Sequence, residues 1–290
     1  MKVHDFRLGR LGNAIFRYFA STLFCIIYGA QRTYNTNELN ATINDQIFIS
    51  WMNNVLNNVI PNIGDHNFNF YGYFQHDKIF LKFKNEILLW MNDHKDELIY
   101  TDGNDHFNNN YSNNIQCYSN NIQSYSYNIQ SYKVSELLIE PLNINKYDVV
   151  IHIRLEDFIV NNDVIHPDCI LKILKNLKNY DSYCIVLNKP KNEIETSYVN
   201  YIKNNIDFDI NLQTGTVIED FHVMKNAKVL ICSSSTLSWC ASFMSNTIET
   251  LYFPNKNKES HETFCKPIEN TIYYDIIKCT KQELEKLFNL

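Results

Sequence analysis

The sequence predicts an α/β protein built on parallel sheet. Three observations carry that prediction. From residue 146 onward, short β-branched apolar runs alternate with amphipathic stretches long enough to be helices, the pattern of strand–helix–strand units. The first 30 residues follow the same order on a smaller scale: a short strand, a glycine-containing turn and an apolar helix. Two of the later strands run into residues with ligand-binding chemistry, and in open α/β sheets the carboxyl ends of strands are where ligands bind.

In the N-terminal stretch the turn is Leu8-Gly9-Arg10-Leu11-Gly12-Asn13. The helix is expected to begin near Ala14 with Asn13 as its N-cap. Such a turn offers backbone N–H groups and a helix dipole to an anion. The Gly-x-Gly-x-x-Gly spacing of dinucleotide folds is absent, so a plain Rossmann dehydrogenase is not supported. Residues 68–75 read Phe-Asn-Phe-Tyr-Gly-Tyr-Phe-Gln. The helical pattern after them puts Ile79, Phe80, Phe83, Ile87 and Trp90 on one face, a core stripe.

Between residues 112 and 132 a heptad occurs three times, beginning as Ser-Asn-Asn-Ile-Gln-Cys-Tyr. One aliphatic residue per heptad and abundant asparagine argue against a coiled coil. The segment 108–132 reads as a repeat expansion that forms a polar loop or strand-like surface hairpins and bridges the two halves of the chain. Beyond it, strands are expected at Val149–Ile153, Tyr183–Leu187, Val229–Cys232 and Ile248–Phe253. Helices are expected at Asp168–Lys178, Glu193–Lys203, Glu219–Asn226 and Leu237–Ser245. A last short helix follows the capping box Thr280-Lys-Gln-Glu283.

Composition narrows the function classes. The chain has 290 residues, 45% hydrophobic and 14% aromatic, enough for one large domain or two smaller ones. A net charge of −6 argues against a general nucleic-acid binder, which would be basic. Eight cysteines are scattered without a Cys-x-x-Cys pair, several inside apolar runs such as those of Cys184 and Cys232. They read as reduced, buried small hydrophobes of an intracellular protein rather than as a zinc site or disulfide frame. Met1–Arg10 carries charges and no apolar core, so no secretory signal is read and the cytoplasm is the expected location. Tyr18–Ala30 is apolar but short for a membrane span of about 20 residues, and a buried helix is expected there. The heavy use of Asn, Ile, Lys, Tyr and Phe reflects AT-rich codons, which concerns origin rather than activity.

Two stretches carry most of the chemistry. Val149-Val150-Ile151 leads into His152-Ile153-Arg154-Leu155-Glu156-Asp157-Phe158. An arginine at a strand end suits a diphosphate, because its planar fork makes two parallel charged hydrogen bonds. The alternative is an arginine paired with Glu156 or Asp157. The second stretch, Cys232-Ser233-Ser234-Ser235-Thr236-Leu237-Ser238-Trp239, follows a strand and opens a helix. Its hydroxyls, backbone N–H groups and helix N-terminus would together cradle a phosphate. The alternative is a Ser/Thr N-cap with spare hydroxyls. Both stretches leave the same predicted sheet at the same edge, so together they point to one diphosphate site. Asp207-Phe208-Asp209 has the Asp-x-Asp form of a metal-binding signature. It lies in the alternating run Ile206–Ile210, which fits an edge strand with exposed aspartates.

Four segments, taken in order, resemble the α-1,2-fucosyltransferase family, glycosyltransferase family eleven. Arg10-Leu11-Gly12-Asn13, with Phe16 and Tyr18, resembles its N-terminal Gly-Asn motif. Gly72-Tyr73-Phe74-Gln75 resembles its Gly-Tyr-aromatic-Gln segment. His152-Ile153-Arg154 with Asp157-Phe158 resembles its His-x-Arg-Arg-x-Asp-Tyr motif. Asp220-Phe221 through Ser235-Thr236-Leu237-Ser238-Trp239 resembles its C-terminal Asn-Ser-Thr-Phe-Ser-Trp-Trp region. The chain departs from the pattern at Ala14, Leu155, Ser234 and Cys240. Leu155 stands where the family has its second arginine, which removes one charge contact near the donor.

The resemblance implies a GT-B fold, two Rossmann-like halves facing across a cleft. Residues 1–145, with the insert 108–132, would be the acceptor-side half, and residues 146–290 the nucleotide-sugar-binding half. The donor would be GDP-fucose, bound by Arg154, Ser234, Ser235, Thr236, Asp220, Gly12 and Asn13. The acceptor would be a galactose-type hydroxyl of a glycan, approached by Tyr73 and Gln75. Transfer would be inverting and metal-independent, with no cofactor, no nucleic-acid partner and no membrane span. The residues support that logic: Arg154 and helix N–H groups can stabilise the charge that builds on a leaving diphosphate. A group must also take the acceptor's proton. Asp157, Glu156 and His152 are nearby, and His152 alternatively orients the turn. Two other readings stand beside this one: a transferase of another nucleotide sugar, and a non-catalytic glycan-binding protein that kept the fold.

Overall fold

Strand β1 (Lys2–Asp5) and helix α1 (Leu11–Tyr28) open the computed structural model in the order expected. The structure describes residues 1–6, 9–102, 129–255 and 266–290. The chain divides into two units, Met1–Gln75 with Asp96–Lys133, and His76–Lys95 with Val134–Leu290.

In the first unit, Gly9 closes the turn with φ +74, a left-handed conformation that costs glycine no Cβ clash. The helix therefore starts earlier than expected. Arg10 is its N-cap, and the Ala14 amide already bonds to the Arg10 carbonyl at 3.0 Å. Gly12 and Asn13 thus lie in the first helical turn, and Asn13 is not the cap. Gly29, also left-handed, ends α1. By length and composition α1 could cross a membrane, and 78% of it is buried inside the structure.

Strands β2 (Gln31–Arg32), β3 (Ala41–Ile43) and β4 (Phe68–Phe70) join β1 in a parallel sheet of order β2-β1-β4-β3. Helix α2 (Asp45–Leu56), capped by Asn44, brings Trp51 onto Phe24 with ring centroids 4.8 Å apart. Phe24 in turn meets Phe68 and Phe70 of β4 edge-on, at 5.1 and 5.5 Å. Aromatic contacts of this geometry add to the burial of large apolar area, and they anchor both helices to one sheet face. The Arg32 side chain is only 3% exposed: it pairs with Asp5 and with Glu97 at 3.1 Å and lies 4.2 Å from the Tyr18 ring centre. Strands β5 (Leu98–Asp102) and β6 (Ile129–Lys133) form an antiparallel pair. The end of the heptad segment is therefore a strand, while residues 108–128 lie outside the described residues.

The second unit begins with α3 (Asp77–Lys82) and α4 (Lys84–Asp93), which break the expected single helix at Phe83. Ile79, Phe80 and Ile87 are buried as the stripe requires, and Trp90 stacks on His94. After α5 (Val134–Leu138) come β7 (Val149–His152), α6 (Glu156–Val160), β8 (Val164–Ile165), α7 (Pro167–Leu174), β9 (Tyr183–Val186) and α8 (Glu193–Asn204). Then follow β10 (Asn211–Gln213), α9 (Val217–Lys225), β11 (Val229–Ile231), α10 (Thr236–Phe243), β12 (Thr250–Asn255), β13 (Thr271–Asp275), β14 (Lys278–Cys279) and α11 (Lys281–Phe288). The capping box at Thr280 is formed as read, and a second one joins Thr216 to Glu219 at the start of α9.

Six of these strands make one parallel sheet of order β10-β9-β7-β11-β12-β13. Ranked by position in the chain, that is 3-2-1-4-5-6, the doubly wound order of nucleotide-binding α/β folds. One face of its central strands (Val149, Ile151, Ile185, Ile231) joins a core with Leu171 and Leu174 of α7, Tyr198 and Ile202 of α8 and Leu284 of α11. The alternate residues Val150, Cys184 and Leu230 are equally buried, so the sheet is covered on both faces, as all-parallel sheets require. Residues 206–210 are not a strand, contrary to expectation. Phe208 stacks on Tyr183 at 4.0 Å and Asp207 pairs with Lys178, and the edge strand starts only at Asn211.

Candidate functional site

The strand order of the second unit reverses between β7 and β11, whose register runs from Val149↔Val229 to Ile151↔Ile231. A crevice at the carboxyl ends of such a pair is the expected ligand position. Arg154 and Ser234 each stand three residues past the last register pair. Two contacts tie the strand ends together: the Ser233 amide donates to the His152 carbonyl at 3.1 Å, and Ser233 Oγ lies 3.1 Å from His152 Nδ1. Burial, and secondarily the Arg154 charge, push His152 down to about 3. It is neutral across the physiological range. A group so weakly basic is a poor proton acceptor, and its geometry is that of a brace between two strands.

Past His152 the side chains alternate. Ile153 and Leu155 turn into the core, each 4% exposed, and Leu155 is the N-cap residue of α6. Arg154 turns outward and meets the first turn of α6. Its Nε donates to Asp157 Oδ1 at 3.1 Å and its Nη2 to Asp157 Oδ2 at 2.8 Å. The guanidinium lies 5.1 Å from the Phe158 ring centre. The paired-arginine alternative is thus realised, with Asp157 as the partner. Glu156 is engaged elsewhere, accepting from Asn188 at 2.7 Å and pairing with Lys191 at 2.8 Å, both just past β9.

The hydroxyl turn divides its labour. Ser235 is buried and caps α10, accepting from the Leu237 amide at 3.3 Å. Ser233 is buried at the His152 brace, whereas Ser234 and Thr236 are half-exposed at the mouth of the helix. The cap reading of this turn is met by Ser235, and the Ser234 and Thr236 side chains and the first-turn N–H groups stand at the same carboxyl edge as Arg154. Asp220, in the first turn of α9, accepts from the Gly215 amide at 3.3 Å and fastens the turn that follows β10. Burial raises its carboxyl to about 7.

In the first unit the two N-terminal motifs meet at the carboxyl ends of the neighbouring strands β1 and β4. Gln75 Nε2 donates to Asn13 Oδ1 at 2.9 Å. A Cβ added to Gly9 would lie 3.1 Å from Asn13 Nδ2 and 3.2 Å from the Tyr73 ring, so only glycine fits without displacement. Two residues not singled out in the sequence hold this turn. Asp45 accepts from the Tyr73 and Phe74 amides at 3.2 and 2.8 Å, and buried Arg17 donates to the Gly72 carbonyl at 3.0 Å. They fix Phe74 at φ +50, a conformation that a bulky residue adopts only under outside constraint. A charged residue inside an apolar helix was the visible signal for Arg17, and Asp45 had none.

Two concavities lie elsewhere. One, lined by residues that include Asp148, Ser182, Asn226 and Lys228, is at the opposite, amino-terminal edge of the large sheet. The other, lined by Ile47, Trp51, Pro61 and Ile63 among others, flanks α2. Neither contains the residues read as functional. Topology and donor chemistry, rather than depth, single out the carboxyl edge. Among the described residues no group of three His, Cys, Asp or Glu side chains converges. No family model, curated protein or solved structure matches this chain.

Proposed function

We propose that the chain is an inverting glycosyltransferase that moves L-fucose from GDP-fucose to a galactose-type hydroxyl of a glycan without a metal ion. The observation that carries the reading is the switch point of the six-stranded sheet. There Arg154, the Ser234 and Thr236 hydroxyls and the α10 N-terminus leave adjacent strands at the same edge. Such an arrangement offers charge-assisted and backbone hydrogen bonds where a leaving diphosphate accumulates charge. The donor sugar and the acceptor rest on the motif resemblance, in which Tyr73 and Gln75 serve the acceptor side, beside Asn13 of the donor set. Their convergence on one turn supports treating them as a group.

The test is calorimetry of GDP binding in EDTA, with wild type and Arg154→Ala. Losing a charged bidentate contact of about 1.5–3 kcal/mol should weaken binding about 10- to 100-fold. Equal affinity of the two proteins would sink the donor-site assignment. A donor panel then reads the sugar. One observation favours a second reading, a non-catalytic glycan binder: Asp157 already occupies the Arg154 fork. Glycan binding without turnover of any donor would favour it.

A further inference from the structure

We infer that Asp157 is the positioning residue for Arg154: it holds the guanidinium so that its remaining edge faces the diphosphate site, and it is not the proton acceptor. The inference rests on the nucleotide reading above and names the role of one more residue in that site. Asp157 uses both carboxylate oxygens on one fork, at 3.1 and 2.8 Å, which orients the guanidinium plane as well as its distance. Phe158 lies against the same group at 5.1 Å. Both residues belong to the first turn of α6, which is seated in the core through Leu155 and Ile159. The arginine is thus pinned by a rigid element rather than by a loop, the condition for a site held to fractions of an ångström. Of the five N–H donors of a guanidinium, the fork takes two, so three remain for a ligand. A carboxylate bound through both oxygens to a permanent cation is a poor acceptor for a further proton, because protonation would break the pair.

Removing Asp157 has two opposed effects, and their balance makes the test decisive. It takes a negative charge away from a phosphate site, which would tighten GDP binding. It also frees an arginine whose rotamer freedom is worth a factor of about thirty if fully released. If Asp157 positions Arg154, the second effect wins. Calorimetry in EDTA should then show Asp157→Asn binding GDP about tenfold more weakly than wild type, and Phe158→Leu several-fold more weakly. NMR of the arginine Nε–Hε groups reads the fork directly: the Arg154 Hε signal, assigned by its loss in Arg154→Ala, should exchange slowly in wild type and lose that protection in Asp157→Asn, while the Arg32 signal stays protected in all three proteins. Unchanged or tighter GDP binding in Asp157→Asn overturns the positioning role, as does turnover lost at unchanged GDP affinity, the signature of a base. Failure of the wild type to bind GDP while the Hε signal is present instead overturns the nucleotide reading on which the role depends.

Discussion

Replacing Leu155 by arginine would give this stretch the second arginine of the motif it resembles, and the structure predicts that it damages the protein instead. Leu155 is 4% exposed and belongs to the same core as Val149, Ile151 and Ile159. Removing a buried leucine side chain costs about 2–5 kcal/mol through lost transfer energy and residual cavity. A guanidinium in its place must either remain unpaired in apolar surroundings, at a cost of several kcal/mol, or pull the start of α6 out of the core. The expected loss is therefore about 4 kcal/mol or more, a large share of a typical folding stability of about 5–15 kcal/mol. Urea denaturation followed by circular dichroism measures it, with Leu155→Ala as the control that loses about 3 kcal/mol through the cavity alone. Under the proposed function GDP binding should weaken as well, since Arg154 and Asp157 ride on the same turn. A Leu155→Arg protein within about 0.5 kcal/mol of wild type that binds GDP more tightly would refute the inward seat of this side chain.

Two further outcomes follow from buried charge. Asp5→Asn leaves Arg32 sequestered with Glu97 as its remaining carboxylate, and should lower stability by about 3 kcal/mol in urea denaturation; a change below about 1 kcal/mol would show that the pair contributes little. Asp220 has a carboxyl raised from 3.8 to about 7 by burial, so the folded state binds a proton that the unfolded state has released. Its stabilising contribution is present below pH 4 and is lost as pH rises through 7, at about 1.4 kcal/mol per pH unit. Asp220→Asn should therefore gain stability relative to wild type between pH 4 and 7, and parallel stability curves for the two proteins would contradict the buried, protonated carboxyl.

Much of the second unit was legible from periodicity. The four strands and four helices expected after residue 146 are all present, with ends displaced by a few residues, because apolar runs and caps are local signals. The Thr280 capping box was readable for that reason, and the Thr216–Glu219 box carried the same signal unread. The misplacements have physical causes of another kind. Gly9, rather than Asn13, makes the turn before α1, and the alternation of Ile206–Ile210 lost to the stacking of Phe208 on Tyr183. Both depend on a neighbour that is distant in the chain or on a backbone angle, neither of which a pattern of residue types records.

The sequence by itself determined which chemistry is available: an arginine after one strand, hydroxyls after another, and a glycine-containing turn near the start. Tertiary structure alone decided how these groups are spent. The strand order put β7 beside β11, so that residues 80 apart in sequence share one edge. The alternation of side chains past β7 put Leu155 inward and Arg154 outward onto Asp157. The physical reason is that a side chain's role depends on which way the backbone points it and on what occupies the space it meets. Those are set by long-range packing, whereas the short-range rules of sequence fix only where strands and helices begin and end.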